Sequence, residues 1–177
     1  KILFIGDIIG SPGREAVREL LPPLVAKKKI DFVIANCENV AAGFGVTRKI
    51  VEELFKYNID VLTSGNHVWN KREVLEFIGD FDRLLRPANY PSTTPGAGAV
   101  LVPLKTGEYI GVLNLAGRIF MQPIDCPFVT AKNKIAEMKE KTKVIIVDMH
   151  EEATSEKKAL GWYLDGDVAA VVGTHTH

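Results

Sequence analysis

Cysteine is scarce in this sequence of 177 residues, which contains only Cys37 and Cys126. Two cysteines so far apart do not provide the disulfide framework that stabilises small secreted proteins. The first residues also do not resemble a secretory signal peptide. We therefore expect the protein to work in a reducing cytoplasm.

An excess of charge of either sign is also missing. Lys and Arg together number 22, as do Asp and Glu, so the formal net charge is zero. Without a long basic block, neither duplex nucleic acid nor an anionic membrane is favoured as a partner. A small phosphorylated substrate is still compatible with this composition, because it needs only a local binding site.

Long apolar runs, internal repeats and low-complexity segments are absent as well. No run approaches the roughly 20 residues that cross a bilayer, although 46% of the residues are hydrophobic. No Pro-, Gly- or Ser-rich stretch is typical of a linker. The sequence predicts a single globular domain covering residues 1–177.

What the sequence does contain is an alternation of strand-like and helix-like segments. Short segments typical of buried strands occur at 2–6, 31–39, 60–67, 143–150 and 168–173, and those at 31–39 and 60–67 include the exit of the strand. Segments with apolar residues at helical spacing occur at 14–29, 48–58, 71–79, 128–140 and 155–166. Residues 98–104 and 109–117 flank a Gly-containing turn and predict a β-hairpin. The pattern predicts a layered α/β fold with two sheets or one mixed sheet.

Two local features give sharper predictions. The pair Pro22-Pro23 lies inside the first helical segment and predicts a kink or break there. Thr47 precedes the second helical segment and is expected to cap it. Pro12 is expected in the first turn of the first helix.

The chemistry-bearing side chains gather where the predicted strands end. All four histidines of the chain lie at such ends, and ligands of open α/β folds bind outside the carboxyl ends of the strands. The residues at these ends are Asp7, Glu38, Asn39, Asn66, His67, His150, His175 and His177.

Each of these residues has an ordinary structural interpretation when taken alone. Asp7 could cap the following helix, and Glu38 with Asn39 could be polar loop residues. The final GTHTH could be a frayed terminus or a cloning artefact. Cys37, beside Glu38, is expected to be a buried core residue.

Taken together, the same residues indicate a metal site. In an extended His-Thr-His segment, His175 and His177 lie on the same side, because side chains alternate with a period of two. Imidazole and carboxylate groups are common ligands of Zn, Fe and Mn. The set is large enough for two ions, and paired ions are used in phosphoester hydrolysis.

The order of the motifs resembles that of the calcineurin-like metallophosphoesterases. The stretches FIGDIIGSPGR, ANCENVAAGFG, SGNHVWNKRE and GTHTH are most similar to the YmdB-like branch, known as bacterial 2',3'-cyclic-nucleotide phosphodiesterases. The resemblance implies an α/β/β/α sandwich, with two mixed sheets flanked by helices. It also implies that further strands follow GTHTH, so we expect the given sequence to lack the family's C-terminal strands.

The resemblance implies a role for each residue at the strand ends. The implied ligands of two metal ions are Asp7, Glu38, Asn39, Asn66, His150, His175 and His177. Glu38 would bridge the ions, while His175 and His177 would bind different ones. His67 would donate a proton to the leaving oxygen.

The implied metals are Fe or Mn, with Zn as an alternative. The His usually found two residues after the first Asp of the superfamily is replaced here by Ile9, and Asn39 is the implied substitute. The first site would therefore be rich in oxygen ligands, which favours Fe or Mn.

The sequence leads to three functional hypotheses. The first is hydrolysis of phosphodiesters, chiefly 2',3'-cyclic nucleotides, by a metal-activated water with His67 as proton donor. The second is a phosphomonoesterase or broad phosphodiesterase using the same site, and the third is a regulatory RNA-associated protein with a structural metal centre. Arg118 and Trp69 are candidates for contact with phosphate and base. A homo-oligomer is expected, because the predicted hairpin has exposed edges.

Overall fold

The computed structural model describes residues 1–176, and its internal contacts divide the chain into two compact units. The first unit runs from Lys1 to Leu84 and the second begins at Leu85. His177 lies outside the described residues. Each unit contains one β-sheet and its own helices.

The first unit is built on a sheet of three parallel strands in the order β1-β2-β3. Its elements are β1 (Ile2–Ile5), α1 (Gly10–Lys28), β2 (Phe32–Asn36), α2 (Arg48–Lys56), β3 (Val61–Thr63) and α3 (Val74–Phe77). Every residue of β2 is buried. This explains its continuous apolar sequence, because a central parallel strand is covered on both faces.

Helix α1 is continuous from Gly10 to Lys28 and contains both Pro22 and Pro23. The predicted break is therefore wrong, and the alternative of a kink stays a prediction. Each proline removes one backbone hydrogen bond, to the carbonyl four residues earlier. These carbonyls belong to Arg18 and Glu19, which are exposed and accessible to water. Pro12 lies in the first turn, as predicted.

Helix α2 begins as the sequence predicts. The Thr47 hydroxyl accepts a hydrogen bond from the Ile50 backbone N–H at 3.4 Å, which stabilises an otherwise unpaired donor of the first turn. The predicted helix at 71–79 is shorter than expected. A 3-10 turn at Asn66–Asn70 precedes α3, and another at Ile78–Asp80 follows it.

The second unit contains a mixed sheet of four strands in the order β4-β5-β6-β7. Its elements are β4 (Ala99–Pro103), β5 (Tyr109–Ala116), α4 (Pro127–Lys139), β6 (Ile145–Glu151), α5 (Thr154–Tyr163) and β7 (Ala170–His175). Strands β4 and β5 form the predicted antiparallel hairpin. Strands β5, β6 and β7 are parallel.

The predicted α/β class, with two sheets and helices beside them, is confirmed. The described strands of the first sheet are all parallel, so the mixed character belongs to the second sheet. Each unit has its own apolar core of buried aliphatic side chains. Cys37 is buried in the first core, as expected. Within residues 1–176, no helix has the length and apolar character needed to cross a membrane.

Candidate functional site

The first unit places five of the predicted site residues just beyond the carboxyl ends of its strands. Asp7 follows β1, Glu38 and Asn39 follow β2, and Asn66 and His67 follow β3. Parallel strands direct their carboxyl ends to the same edge of a sheet. The sequence prediction that these side chains share one edge is thus explained by the parallel pairing of β1, β2 and β3.

Glu38 is the central side chain of this edge and is fully buried. One carboxylate oxygen accepts a hydrogen bond from the Asn39 amide at 3.2 Å, and the other accepts from the backbone N–H of His67 at 2.9 Å. The Nδ1 atom of His67 lies 3.4 Å from the first oxygen. Glu38 therefore connects the loops that follow β2 and β3.

The same contacts indicate that Nδ1 of His67 carries a hydrogen. Because the Asn39 amide group donates to Glu38, its carbonyl oxygen is the atom that lies 2.9 Å from His67 Nδ1. A carbonyl oxygen only accepts, so Nδ1 carries a hydrogen. This contact orients the imidazole ring of His67.

The loop that carries Glu38 is held by backbone hydrogen bonds. The Cys37 N–H donates to the Thr63 carbonyl at 2.9 Å, and the Val40 N–H donates to the Cys37 carbonyl at 3.2 Å. The Glu38 N–H donates to the Asn36 side chain at 3.2 Å. These bonds form a tight turn immediately after β2, so the Glu38 carboxylate keeps one orientation.

Asp7 does not cap helix α1. The residue at the cap position is Ile9, and no side chain accepts a capping hydrogen bond there. The loop of Asp7 instead contacts the neighbouring strand end, because the N–H groups of Ile8 and Gly10 donate to the carbonyls of Asn36 and Asn39. The capping interpretation of Asp7 is therefore wrong.

The second unit holds His150 in a buried chain of hydrogen bonds. The Thr174 hydroxyl donates to the Asp148 carboxylate at 2.8 Å and lies 2.9 Å from His150 Nδ1. Since the hydroxyl proton is directed to Asp148, its oxygen accepts from Nδ1–H of His150. This contact fixes the tautomer with a lone pair on Nε2, the form in which histidine binds a metal. All three side chains are almost completely buried.

His175 is the last residue of β7 and lies beside His150. The ring centroids are 4.8 Å apart, with the planes at 68°. Its Nε2 atom lies 2.9 Å from a carboxylate oxygen of Glu152. The backbone φ of His175 is +80°, a left-handed conformation that is uncommon for non-glycine residues. The extended geometry assumed for the His-Thr-His segment is therefore wrong at His175, and His177 is not described.

Lys157, which the sequence analysis missed, supports this strand end. Its ammonium group lies 3.0 Å from the buried Glu151 carboxylate and donates to the Thr174 carbonyl and the Thr176 hydroxyl, both at 3.3 Å. A Cβ at Gly173 would lie 2.1 Å from the Lys157 side chain, so a larger residue there would displace that side chain. The available signal was a lysine in the helix after a buried strand, together with the glycine of GTHTH.

Burial raises the pKa of the Glu151 carboxyl to about 7, although Lys157 acts in the opposite direction. Desolvation disfavours the charged form of a buried acid, and a nearby ammonium favours it. Lys157 therefore partly compensates the cost of burying Glu151 directly beside His150.

Glu156 holds the loop that carries Arg118. Its carboxylate accepts hydrogen bonds from the backbone N–H groups of Arg118 and Ile119, at 3.0 to 3.1 Å. The Arg118 side chain is exposed, whereas Trp69, the candidate for base contact, is half-buried and packs against the first core.

The donor groups of both units fit divalent metal ions. The first unit supplies the carboxylates of Asp7 and Glu38, with amide oxygens nearby, and the second supplies the imidazoles of His150 and His175. Oxygen and imidazole ligands of this kind suit Mn, Fe and Zn. The fixed tautomer of His150 is the clearest structural sign, because its Nε2 atom is prepared to bind a cation.

Comparisons with known proteins agree with this interpretation. The sequence profile described as YmdB-like protein matches residues 3–177. The chain is 51% identical, over its whole length, to a 2',3'-cyclic-nucleotide 2'-phosphodiesterase of Bacillus subtilis (strain 168) and covers 67% of that protein.

Two solved structures have the same fold. One is a hypothetical protein from Thermus thermophilus, with a TM-score of 0.91 and 42% identity over 99% of this chain and 68% of its own. The other is a novel phosphatase from Mycoplasma pneumoniae, with a TM-score of 0.91 and 33% identity over 99% of this chain and 64% of its own. The chain thus spans about two thirds of the length of these relatives.

Proposed function

Because this chain belongs to the YmdB-like family of metallophosphoesterases, we propose that it is a metal-dependent phosphodiesterase acting on 2',3'-cyclic nucleotides. The observation that carries the proposal is the hydrogen-bonded group of Glu38, Asn39 and His67. It combines a buried carboxylate with an oriented imidazole. The Bacillus relative, named for activity on 2',3'-cyclic nucleotides, supports this choice of substrate.

The proposal assigns the metal ligands as the sequence analysis did. Two ions would be held by Asp7, Glu38, Asn39, Asn66, His150, His175 and His177. Bound ions lower the pKa of a water and neutralise the charge that develops on the phosphate. The contact of His150 Nδ1 with Thr174 would leave Nε2 as its ligating atom, and His175, whose Nε2 atom contacts Glu152, would add a second imidazole.

His67 is assigned as the general acid. Its Nδ1–H donates to the Asn39 carbonyl, which holds the ring in one orientation. The proton on Nε2 is then transferred to the oxygen that leaves the phosphorus. A positioned acid of this kind contributes about 100- to 10,000-fold to a rate.

The finer assignments follow from the same residues. We propose Fe or Mn as the native metals, with Zn as the alternative, because most ligands of the first unit are oxygens. We also propose that residues 1–177 form one metallophosphoesterase domain, since the family profile extends across both units. A cytoplasmic location and a homo-oligomeric state complete the proposal.

The test compares His67→Ala with the parent protein, with metal content and turnover measured on the same samples. On 2',3'-cyclic AMP, we expect a loss of about 100-fold or more in kcat with full metal content, because the variant lacks only the acid. His150→Ala is the matched control and should lose metal as well as turnover. Unchanged hydrolysis in His67→Ala would contradict the assignment of His67 as the general acid.

A phosphatase of broader specificity is the second candidate function, favoured by the Mycoplasma relative, which is described as a novel phosphatase. A panel of cyclic diesters, linear diesters and monoesters distinguishes the candidates. A greater kcat/KM on a monoester than on any diester would support the phosphatase of broader specificity. A regulatory RNA-associated protein with a structural metal would show metal content without turnover on any of them.

A further inference from the structure

Phe44 is an exposed aromatic residue in a loop of the first unit whose other residues, apart from Ala42 and Gly43, are buried. Its side chain is 56% exposed, although four other apolar side chains of the loop are at most 5% exposed. These are Cys37, Val40, Ala41 and Val46. Phe44 is therefore not a core residue, and its exposed ring is accessible to a ligand.

The ring of Phe44 contacts the ring of His67. Their centroids are 5.1 Å apart and the planes cross at 78°, an edge-to-face arrangement. His67 is the assigned donor to the leaving oxygen of the substrate. In a 2',3'-cyclic nucleotide, that oxygen and the base are attached to the same ribose. The base of such a substrate is therefore only one ribose ring away from the oxygen that His67 protonates.

The loop holds Phe44 in a defined position. Ala42, Gly43 and Gly45 all have positive φ, at 58°, 96° and 77°. The Ala41 N–H donates to the Gly45 carbonyl at 3.0 Å, and the Phe44 N–H donates to the Ala41 carbonyl at 3.3 Å, which closes the turn. The aromatic ring is thereby preorganised, and less entropy is lost when a ligand binds.

Gly45 further restricts this loop. A Cβ at Gly45 would lie 2.9 Å from the Lys71 side chain and 3.1 Å from the Lys71 backbone nitrogen. The loop therefore packs closely against the segment that follows His67. This contact keeps the segment that carries Phe44 next to the segment that carries His67.

We propose that Phe44 forms a nucleobase subsite, on which the base of the substrate stacks while His67 protonates the leaving oxygen. The inference rests on the proposed function and specifies how its substrate is selected. An aromatic face binds every base without reading its hydrogen-bonding groups. The subsite therefore favours nucleotides over base-free cyclic phosphates, and purines over pyrimidines because their stacking area is larger.

The kinetic test compares 2',3'-cyclic AMP with methyl riboside 2,3-cyclic phosphate, which has the same reacting ring and no base. In the metal-loaded protein, Phe44→Ala should lower kcat/KM for 2',3'-cyclic AMP by about 10-fold, chiefly through KM. The value for the base-free substrate should stay unchanged. Phe44→Leu, which keeps an apolar side chain without a ring, should behave like Phe44→Ala, and Phe44→Trp should retain activity.

Trp162→Ala is the control for a general effect of removing a surface aromatic. Trp162 is 81% exposed and lies on α5 in the other unit. This variant should leave both substrates unaffected. An equal loss on both substrates in Phe44→Ala would mean that Phe44 acts by positioning His67, and it would overturn the subsite. No loss on either substrate would overturn it as well.

A binding measurement separates this inference from the proposed function. Calorimetric titration of the metal-loaded protein with 3'-AMP and with inorganic phosphate should show about 10-fold weaker binding of 3'-AMP alone in Phe44→Ala. If the parent protein hydrolyses no phosphodiester but shows this difference, the subsite holds and the proposed function fails. If 3'-AMP binds equally well to both proteins, or to neither, the subsite is wrong.

Discussion

At the scale of single residues, the neutral hydroxyl of Thr174 has a specific task. It connects Asp148 to His150 by donating to one and accepting from the other. The residue lies between Gly173 and His175 in sequence, where nothing marks it as more than a spacer. Its contacts select the tautomer of His150, a proposed metal ligand.

Thr174→Val removes this hydroxyl while keeping the shape of the side chain. We expect metal affinity to fall by about 10- to 100-fold, because the partner that orients a ligating histidine is lost. The free energy of unfolding of the metal-free protein should fall by about 1–3 kcal/mol, since Asp148 loses a buried hydrogen bond. Metal titration and denaturant unfolding measure the two effects.

Thr174→Ser is the matched variant for this prediction. It keeps the hydroxyl and removes only a methyl group, so metal affinity should stay within a few-fold of the parent protein. If Thr174→Val and Thr174→Ser bind metal equally well, the hydroxyl does not orient His150.

At the scale of secondary-structure elements, the second unit is joined by charges as well as by its core. Lys132 and Lys139 on α4 both form ion pairs with Asp167, which lies in the turn between α5 and β7. This turn leads directly into the strand that ends at His175. The ion pairs therefore connect α4 to the approach to that strand.

The two lysines lower the pKa of the Asp167 carboxyl from its usual 3.8 to about 2. Because the folded pKa lies below the unfolded one, the pair stabilises the fold above pH 3.8, and this contribution is lost as the pH falls towards 2. Asp167→Asn should remove that contribution. Its free energy of unfolding should therefore vary less between pH 2 and pH 4 than that of the parent protein.

Urea unfolding at a series of pH values tests this prediction. The exposed Asp165, two residues earlier, supplies the control variant Asp165→Asn, which should keep the pH dependence of the parent protein. High salt should weaken the effect at Asp167, because partly exposed charges are screened. Identical pH profiles for Asp167→Asn and the parent protein would contradict the assignment.

At the scale of the whole molecule, the proposed ligands are divided between the two units. Asp7, Glu38, Asn39 and Asn66 belong to the first, and the histidine ligands belong to the second. Each unit has a separate sheet and core. A metal that binds these groups only in the folded chain would add stability that the cores do not supply.

Removing the metal should consequently lower the unfolding temperature. A ligand present at 100 times its Kd stabilises the folded state by about 2.7 kcal/mol. We expect thermal unfolding in a chelator to occur several degrees lower, and re-addition of Mn²⁺ to restore the parent value. Glu38→Gln, made in the proposed bridging residue, should not respond to Mn²⁺. A full response in this variant would contradict the bridging role.

The sequence by itself determined the class of fold and the location of the candidate site. Strand segments, the hairpin and the cap at Thr47 are local features, readable from apolar periodicity and turn residues, and the structure confirms them. The positions of Asp7, Glu38 and His67 at strand ends followed from the same pattern. Their roles came from the resemblance to a family, and the metal assignments stay predictions.

The tertiary structure decided the features that depend on residues distant in sequence. Helix α1 tolerates Pro22 and Pro23 because its affected carbonyls are exposed, which no local pattern reveals. Lys157 and Phe44 were missed because their significance comes from neighbours brought close only by folding. The GTHTH segment indicated the location of candidate ligands. The φ of His175 and the contacts of Thr174, however, depend on the packing of β6 and β7.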